Sequence, residues 1–267
     1  MAGAFGWRDW ARLGASITVE TGTDTDGMPT ENLFDAQPGL RARLIPVAGV
    51  VRLVVDLGAT RTAGVITLVN TALDGSESIF MRGSITDPTG VDGAAFIKGA
   101  AVTAPDTNRG QVVNLLTADV SVRYVRIVIT GIAGSILDIG GLAVQQVLRL
   151  NSGMAFGMSE GRAHLGTADR NPFTGAEFRV DGVGRPRYAR VTLPTIKSAE
   201  YEGDLRALLA EAAPSVDVLW IPETSLSQAE MNLRCIWGGI TRPGEEFGIA
   251  RNRPMLGSMS FSITERM

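Results

Sequence analysis

The sequence reads as a mostly β protein in two parts, on three grounds. Period-2 alternation with β-branched residues runs through 50–70 and again through 120–130. The 32 glycines and 12 prolines are spread along the chain, as expected of many short strands joined by turns. Helical periodicity is convincing in one stretch, 199–212.

The first strands set the core. Leu53, Val55 and Leu57 alternate with Arg52, Val54 and Asp56, and Val65, Thr67 and Val69 alternate with Ile66, Leu68 and Asn70, so two strands joined by a turn at Gly58 are predicted. Ile66 and Leu68 make the second apolar on both faces, which places it between two layers. Residues 120–130 repeat the pattern. Further strands are predicted at 16–19, 44–45, 78–84, 112–116 and 140–150. They make 15–150 an antiparallel β-sandwich. Loops 21–38 and 84–96 are rich in turn formers.

After Asn151 the composition changes to a glycine-rich stretch, and 151–267 reads as α+β. Strands are predicted at 187–193, 216–222, 232–237 and 258–264. The helix over 199–212 puts Tyr201, Leu205, Leu208 and Leu209 on one face, and Pro214 stops it; a second short helix is expected at 225–231. Residues 1–14 precede any clear core pattern and carry Trp7 and Trp10, which an N-terminal arm would present as interface anchors or tuck onto its own domain.

Composition narrows the function. With 45% apolar and 20% charged residues the chain is a folded globular protein. A net charge of −3 without a basic run argues against nucleic-acid binding. No apolar window is long enough to span a bilayer, and the charged N-terminal stretch does not read as a signal peptide. One cysteine, Cys235, allows no intrachain disulfide, which suits folding in a reducing cytoplasm. It reads as a buried small apolar residue.

The motifs that resemble chemistry fall short of it. Gly157-Met158-Ser159-Glu160-Gly161 has the spacing of a nucleophile elbow, yet the single histidine, His164, follows too closely to serve as a separately presented base. Asp24-Thr25-Asp26-Gly27 starts like a calcium loop, but Met28 and Asp35 stand where ligands are required. One His and one Cys do not build the usual zinc sites. A two-carboxylate site is left open, with no pair singled out. No catalytic, cofactor or metal residue is assigned, and a non-enzymatic role is expected.

Asn32-Leu33-Phe34-Asp35, Val54-Val55-Asp56-Leu57-Gly58, 65–70 and Arg123-Tyr124-Val125-Arg126-Ile127, in that order, resemble galactose-binding-like domains of the discoidin type. The resemblance implies a jelly-roll sandwich of a kind that usually serves as a binding module. In the second half, 187–193, the helix from Ala199, Val218-Leu219-Trp220-Ile221-Pro222, Gly238-Gly239-Ile240 and Phe261-Ser262-Ile263-Thr264-Glu265 are similar to the tail-tube and distal-tail fold of long-tailed phages. Together they imply a siphovirus-type distal-tail or baseplate component without a cofactor. It would form a homo-oligomeric ring or belt in the virion tail after synthesis in the host cytoplasm, beside tail tube, hub and fibres. In many such proteins the ring-forming domain comes first; here the order is reversed. The alternative implied is a carbohydrate-binding module for a host surface glycan, with loops 21–38 and 84–96 as its site.

Overall fold

The structure, a computed structural model, describes residues 2–35, 37, 39–101, 110–153, 158–162, 167–170, 177–180, 186–197, 203, 205–211, 216–241, 250–253 and 256–266. Its first strands are β1 (Ala2–Asp9), β2 (Ser16–Thr21), β3 (Thr23–Asp24), β4 (Ala42–Ile45), β5 (Val50–Thr71), β6 (Ser78–Ser84), β7 (Ala94–Ala101), β8 (Gly110–Thr130), β9 (Leu137–Ile139) and β10 (Gly141–Gly153). After them come β11 (Ser159–Arg162), β12 (Thr167–Arg170), β13 (Glu177–Val180), β14 (Arg187–Lys197), helix α1 (Arg206–Glu211), β15 (Asp217–Ile221) and helix α2 (Gln228–Arg234). The chain continues through β16 (Ile236–Thr241), β17 (Ala250–Arg253) and β18 (Leu256–Glu265). The protein is mostly β.

One antiparallel path, β11-β14-β18-β16-β15-β1-β10-β5-β8-β6-β7, crosses both halves of the chain, and β2 pairs with β5 while β17 pairs with β18. A small sheet, β3-β4-β9, covers the inner face of the first half. Leu53, Val55, Ile127, Ile129 and Met81 meet Ala42, Leu44, Leu137 and Ile139 there, forming the sandwich core. Fully burying each such aliphatic side chain stabilises by ~1.5–3 kcal/mol.

Strand β5 lies between layers, as its two apolar faces require. Ile66 and Leu68 enter the sandwich core, whereas Val65 and Val69 enter a second cluster with Ala4, Leu219, Ile221 and Trp237. A third cluster, in the C-terminal half, gathers Val191, Leu205, Leu208, Phe261 and Ile263 around Phe5, Trp7, Leu148 and Leu150. Strands β1 and β10 thus contribute to the core on the far side of residue 151.

Several elements differ from expectation. Residues 50–71 are one strand, because β8 runs antiparallel along its whole length: from Asp56 to Arg61 the partner advances from Tyr124 to Val122, so the glycine segment bulges instead of turning back. Gly58 takes φ +73° there, and Asp56 Oδ1 accepts from its N–H at 2.8 Å. The expected strands at 112–116 and 120–130 likewise merge into β8. Residues 94–101, read partly as loop, form β7 on the sheet edge. Residues 2–9 of the expected arm are a strand inside the sheet, hydrogen-bonded to β10 on one side and β15 on the other. Residues 232–234 belong to α2, and the following strand starts at Ile236. Of the helix expected at 199–212, Arg206–Glu211 is described as α-helix; 198–202, 204 and 212 lie outside the described residues.

Candidate functional site at the seam

Strand β1 joins the two halves because its faces differ in size. Phe5 and Trp7 point into the C-terminal core, where Phe5 meets Trp220 and Phe261 at ring-centroid distances of 4.8 and 5.2 Å. Such tilted contacts contribute ~0.5–1.5 kcal/mol each beyond area burial. The opposite face carries Ala4 and Gly6, and a Cβ on Gly6 would lie 2.7 Å from Gln145 Oε1 and 3.0 Å from Val65 Cγ1. Glycine is what lets the backbones close.

Past β1 the chain enters a 3-10 turn, Trp10–Arg12, capped by Asp9, whose Oδ1 accepts from Ala11 N–H at 3.1 Å and Val144 N–H at 3.0 Å. The turn aims Arg12 across the seam. Its Nη1 donates to Asp217 Oδ2 at 2.6 Å, its Nη2 donates to the Asp35 carbonyl at 3.0 Å, and its Nε lies 3.5 Å from Asp9 Oδ2. The guanidinium also sits 5.0 Å from the Trp237 ring centroid, and Arg266 engages the other Asp217 oxygen. Burial raises the pKa of both carboxylates, Asp9 to about 6, against the opposing pull of Arg12. Neither carboxylate is singled out by the sequence. Asp9 Oδ1 and Asp217 Oδ2 accept hydrogen bonds, while Asp9 Oδ2 and Asp217 Oδ1 meet Arg12 and Arg266 as ion pairs only, an arrangement suited to holding the halves together.

Beside the clamp opens a cavity of about 420 Å³ between Trp7, Leu208, Val216 and Val218, spanned by an Arg8–Glu211 ion pair at 2.7 Å. Leu13 and Val216, 59% and 39% exposed, give its mouth an apolar rim. A second polar joint lies across the sheet. Asn232 Oδ1 accepts from Val113 N–H at 2.8 Å and Gln228 Nε2 donates to Val113 O at 2.5 Å, so α2 satisfies β8 at Val113, outside the 124–130 stretch that pairs with β6. Arg187 continues this joint to Glu265, with Nε 2.9 Å from Oε1, and to Gln111 Oε1 at 3.1 Å.

Of the two interface candidates, Trp7 is buried in its own chain and Trp10 is half-buried, donating from Nε1 to the Thr62 carbonyl at 2.7 Å. The structure sets both beside the seam. Ser159–Arg162 is a strand, while Gly157 and His164 lie outside the described residues. Asp24 Oδ2 accepts from Thr30, and among the described residues no group of three His, Cys, Asp or Glu side chains is placed to hold a metal ion. Cys235 caps the C-terminus of α2, fully buried, and burial pushes its thiol up to about 12. In loop 84–96 Asp87 accepts from the Thr89 hydroxyl at 2.6 Å and from the N–H groups of Asp92, Thr89 and Val91 at 2.8–2.9 Å, which together hold its carboxyl well below the ordinary range.

No protein-family model matches the chain, and no curated protein matches it. Among solved structures it is similar to the family 32 carbohydrate-binding module of Clostridium perfringens NanJ in complex with galactose (12% identity, TM-score 0.41, 53% of this chain and 99% of that one). It is similar also to chitosan-binding module 1 of a chitosanase/glucanase from Paenibacillus sp. IK-5 (19% identity, TM-score 0.39, 52% and 99%). A Ruminococcus gnavus fucosidase of glycoside hydrolase family 29, in complex with fucose, matches at 13% identity and TM-score 0.40 over 53% of this chain and 27% of the fucosidase.

Proposed function

We propose that this chain is a structural, non-enzymatic component of a long-tailed phage tail tip or baseplate. Residues 151–267 form part of a homo-oligomeric ring or belt against the tail tube and hub, and the sandwich of residues 15–150 is carried outward toward fibres or the host surface. The observation that carries the reading is β1, a strand shared by both halves, which with the Arg12 clamp makes the sandwich a rigid extension of the ring-forming part. The sheet also ends, among the described residues, in strands paired on one side, β7 with β6 and β11 with β14. Such edges suit head-to-tail addition of neighbours, the contact type that closes rings. Immunogold labelling of virions with antibody to this protein tests the proposal. Label at the distal end of the tail is the expected result, and tails without label overturn it.

A second reading, a carbohydrate-binding module for host adsorption, is favoured by the outward sheet face of the sandwich, whose arginines have more positive charge than their carboxylate partner balances. Glycan-array binding by the purified chain supports it, and silence of a folded sample counts against it.

A further inference from the structure

Three arginines share one open face of the sandwich. In the β5-β8-β6 ladder, Arg52 pairs with Val128 and Val128 with Phe80, while in the next row Val54 pairs with Arg126 and Arg126 with Arg82. Alternation puts all of these side chains on the face opposite the sandwich core. They enclose a depression of about 510 Å³ with Phe80 and Val128 as its apolar part and Arg52, Arg82 and Arg126 as its charged part.

The charge on this face is out of balance. Arg126 and Arg82 stand directly opposite each other, an arrangement that like charges make unfavourable. Glu20 neutralises one of them, with Arg126 Nη2 2.6 Å from Glu20 Oε2. Arg52 donates from Nη1 to the Thr21 hydroxyl at 3.3 Å, a neutral partner. Arg82 lies 4.9 Å from the Phe80 ring centroid, and its buried Nε has no hydrogen-bond partner. A buried donor left without an acceptor needs an explanation. The loop beside it does not supply one, because Asp87 turns its carboxylate onto the Thr89, Val91 and Asp92 amides. That loop fixes the arginine instead: Gly90, at φ +65°, lies so near that a Cβ there would meet Arg82 Cβ at 2.8 Å.

We propose that the Arg52, Arg82 and Arg126 depression is a binding site for an oxyanion carried on a saccharide, a carboxylate or phosphate of an acidic envelope polymer. The guanidinium groups take the anion as charge-assisted donors, and Phe80 and Val128 take the apolar face of the sugar ring. This rests on the second reading above, a carbohydrate-binding module, and not on the proposed place in a tail; loss of polyanion binding with retained neutral-glycan binding overturns the charge assignment alone, whereas silence toward every glycan overturns that reading as well.

The test is calorimetric titration of the purified full chain with oligoglucuronate, poly(glycerol phosphate) and neutral dextran, at low and at 0.3 M salt. Expected are binding of at least one polyanion, at least tenfold weaker at the higher salt, and none of dextran; the two polyanions distinguish carboxylate from phosphate. Arg82→Gln and the exposed Arg52→Gln, each checked by its melting curve, are expected to weaken binding at least fivefold. The Arg52 variant keeps the test decisive should Arg82→Gln fail to fold. Binding of neither polyanion, equal binding of dextran, or unchanged affinity in a folded variant overturns the proposal.

Discussion

Arg12 donates from Nη1 to Asp217 Oδ2 at 2.6 Å across 205 residues of sequence, and the Asp217 side chain is 1% exposed. The pair joins the turn after β1 to the first residue of β15. With Asp9 and Trp237 on the same guanidinium, one side chain ties together the elements that meet at the seam.

Removing that guanidinium leaves the buried carboxylate with Arg266 alone. Breaking one partner of a buried pair costs ~3–5 kcal/mol. Arg12→Ala is therefore expected to lower the unfolding free energy by about 3 kcal/mol, read from the midpoint of urea denaturation. A loss below ~0.5 kcal/mol would mean the clamp is surface-like.

Asp9 makes the seam pH-dependent. Its folded pKa of about 6 lies above the ordinary 3.8, so between about pH 4 and 6 the native state holds a proton that the unfolded chain has released. Stability therefore falls as pH rises through that window, by roughly 2–3 kcal/mol for this group, and Asp217 shifts in the same direction. Asp56 and Asp138, lowered by Arg123 and Arg43, act oppositely: their contribution is present above the ordinary carboxylate range and lost as pH falls below about 4. Tm is expected to rise from pH 7.5 to pH 5 and fall again below pH 4. Asp9→Asn, whose Oδ1 still accepts from Ala11 and Val144, should flatten the upper part; identical profiles would show that Asp9 does not titrate there.

Gly6 tests the close approach of β1 to β10 and β15. A Cβ there would meet Gln145 Oε1 at 2.7 Å, Val65 Cγ1 at 3.0 Å and Leu219 Cβ at 3.1 Å, so Gly6→Ala should cost ~1–3 kcal/mol of overpacking. Gly39, with nothing within 4 Å of its Cβ position, is the control, and Gly39→Ala should stay within about 0.5 kcal/mol of wild type. Paired thermal melts read both.

The two tryptophans separate folding from surface contact. Trp7, 2% exposed, should cost ~3–5 kcal/mol as Trp7→Ala. Trp10→Ala loses one hydrogen bond to Thr62 and an Arg61 guanidinium contact at 5.0 Å, about 1–2 kcal/mol together. Chemical denaturation of the two variants should rank them in that order.

The sandwich was legible where sequence carries its own geometry. Ile66 and Leu68 beside Val65 and Val69 announced a strand between layers, and the structure gives each pair its own core. Strand β1 was not legible, because Ala4 and Gly6 on one face look like a terminus without a core until Val65 and Leu219 are known to press on them. The hairpin at Gly58 failed for a related reason: bulge and turn use the same residues, and the partner strand decides between them. Helix α2 had a readable signal in Ser227 and Glu230, whose reciprocal capping box starts it. The seam clamp had none, since no local pattern links Arg12 to Asp217.

The deciding experiment for the proposed tail-tip role is cryo-electron microscopy of phage particles, with this chain fitted to the tail density. A ring or belt at the distal end of the tail, into which both halves fit as one rigid body joined through β1, is expected. A tail tip without density for this chain, or a sandwich swivelled away from the C-terminal half, would contradict it.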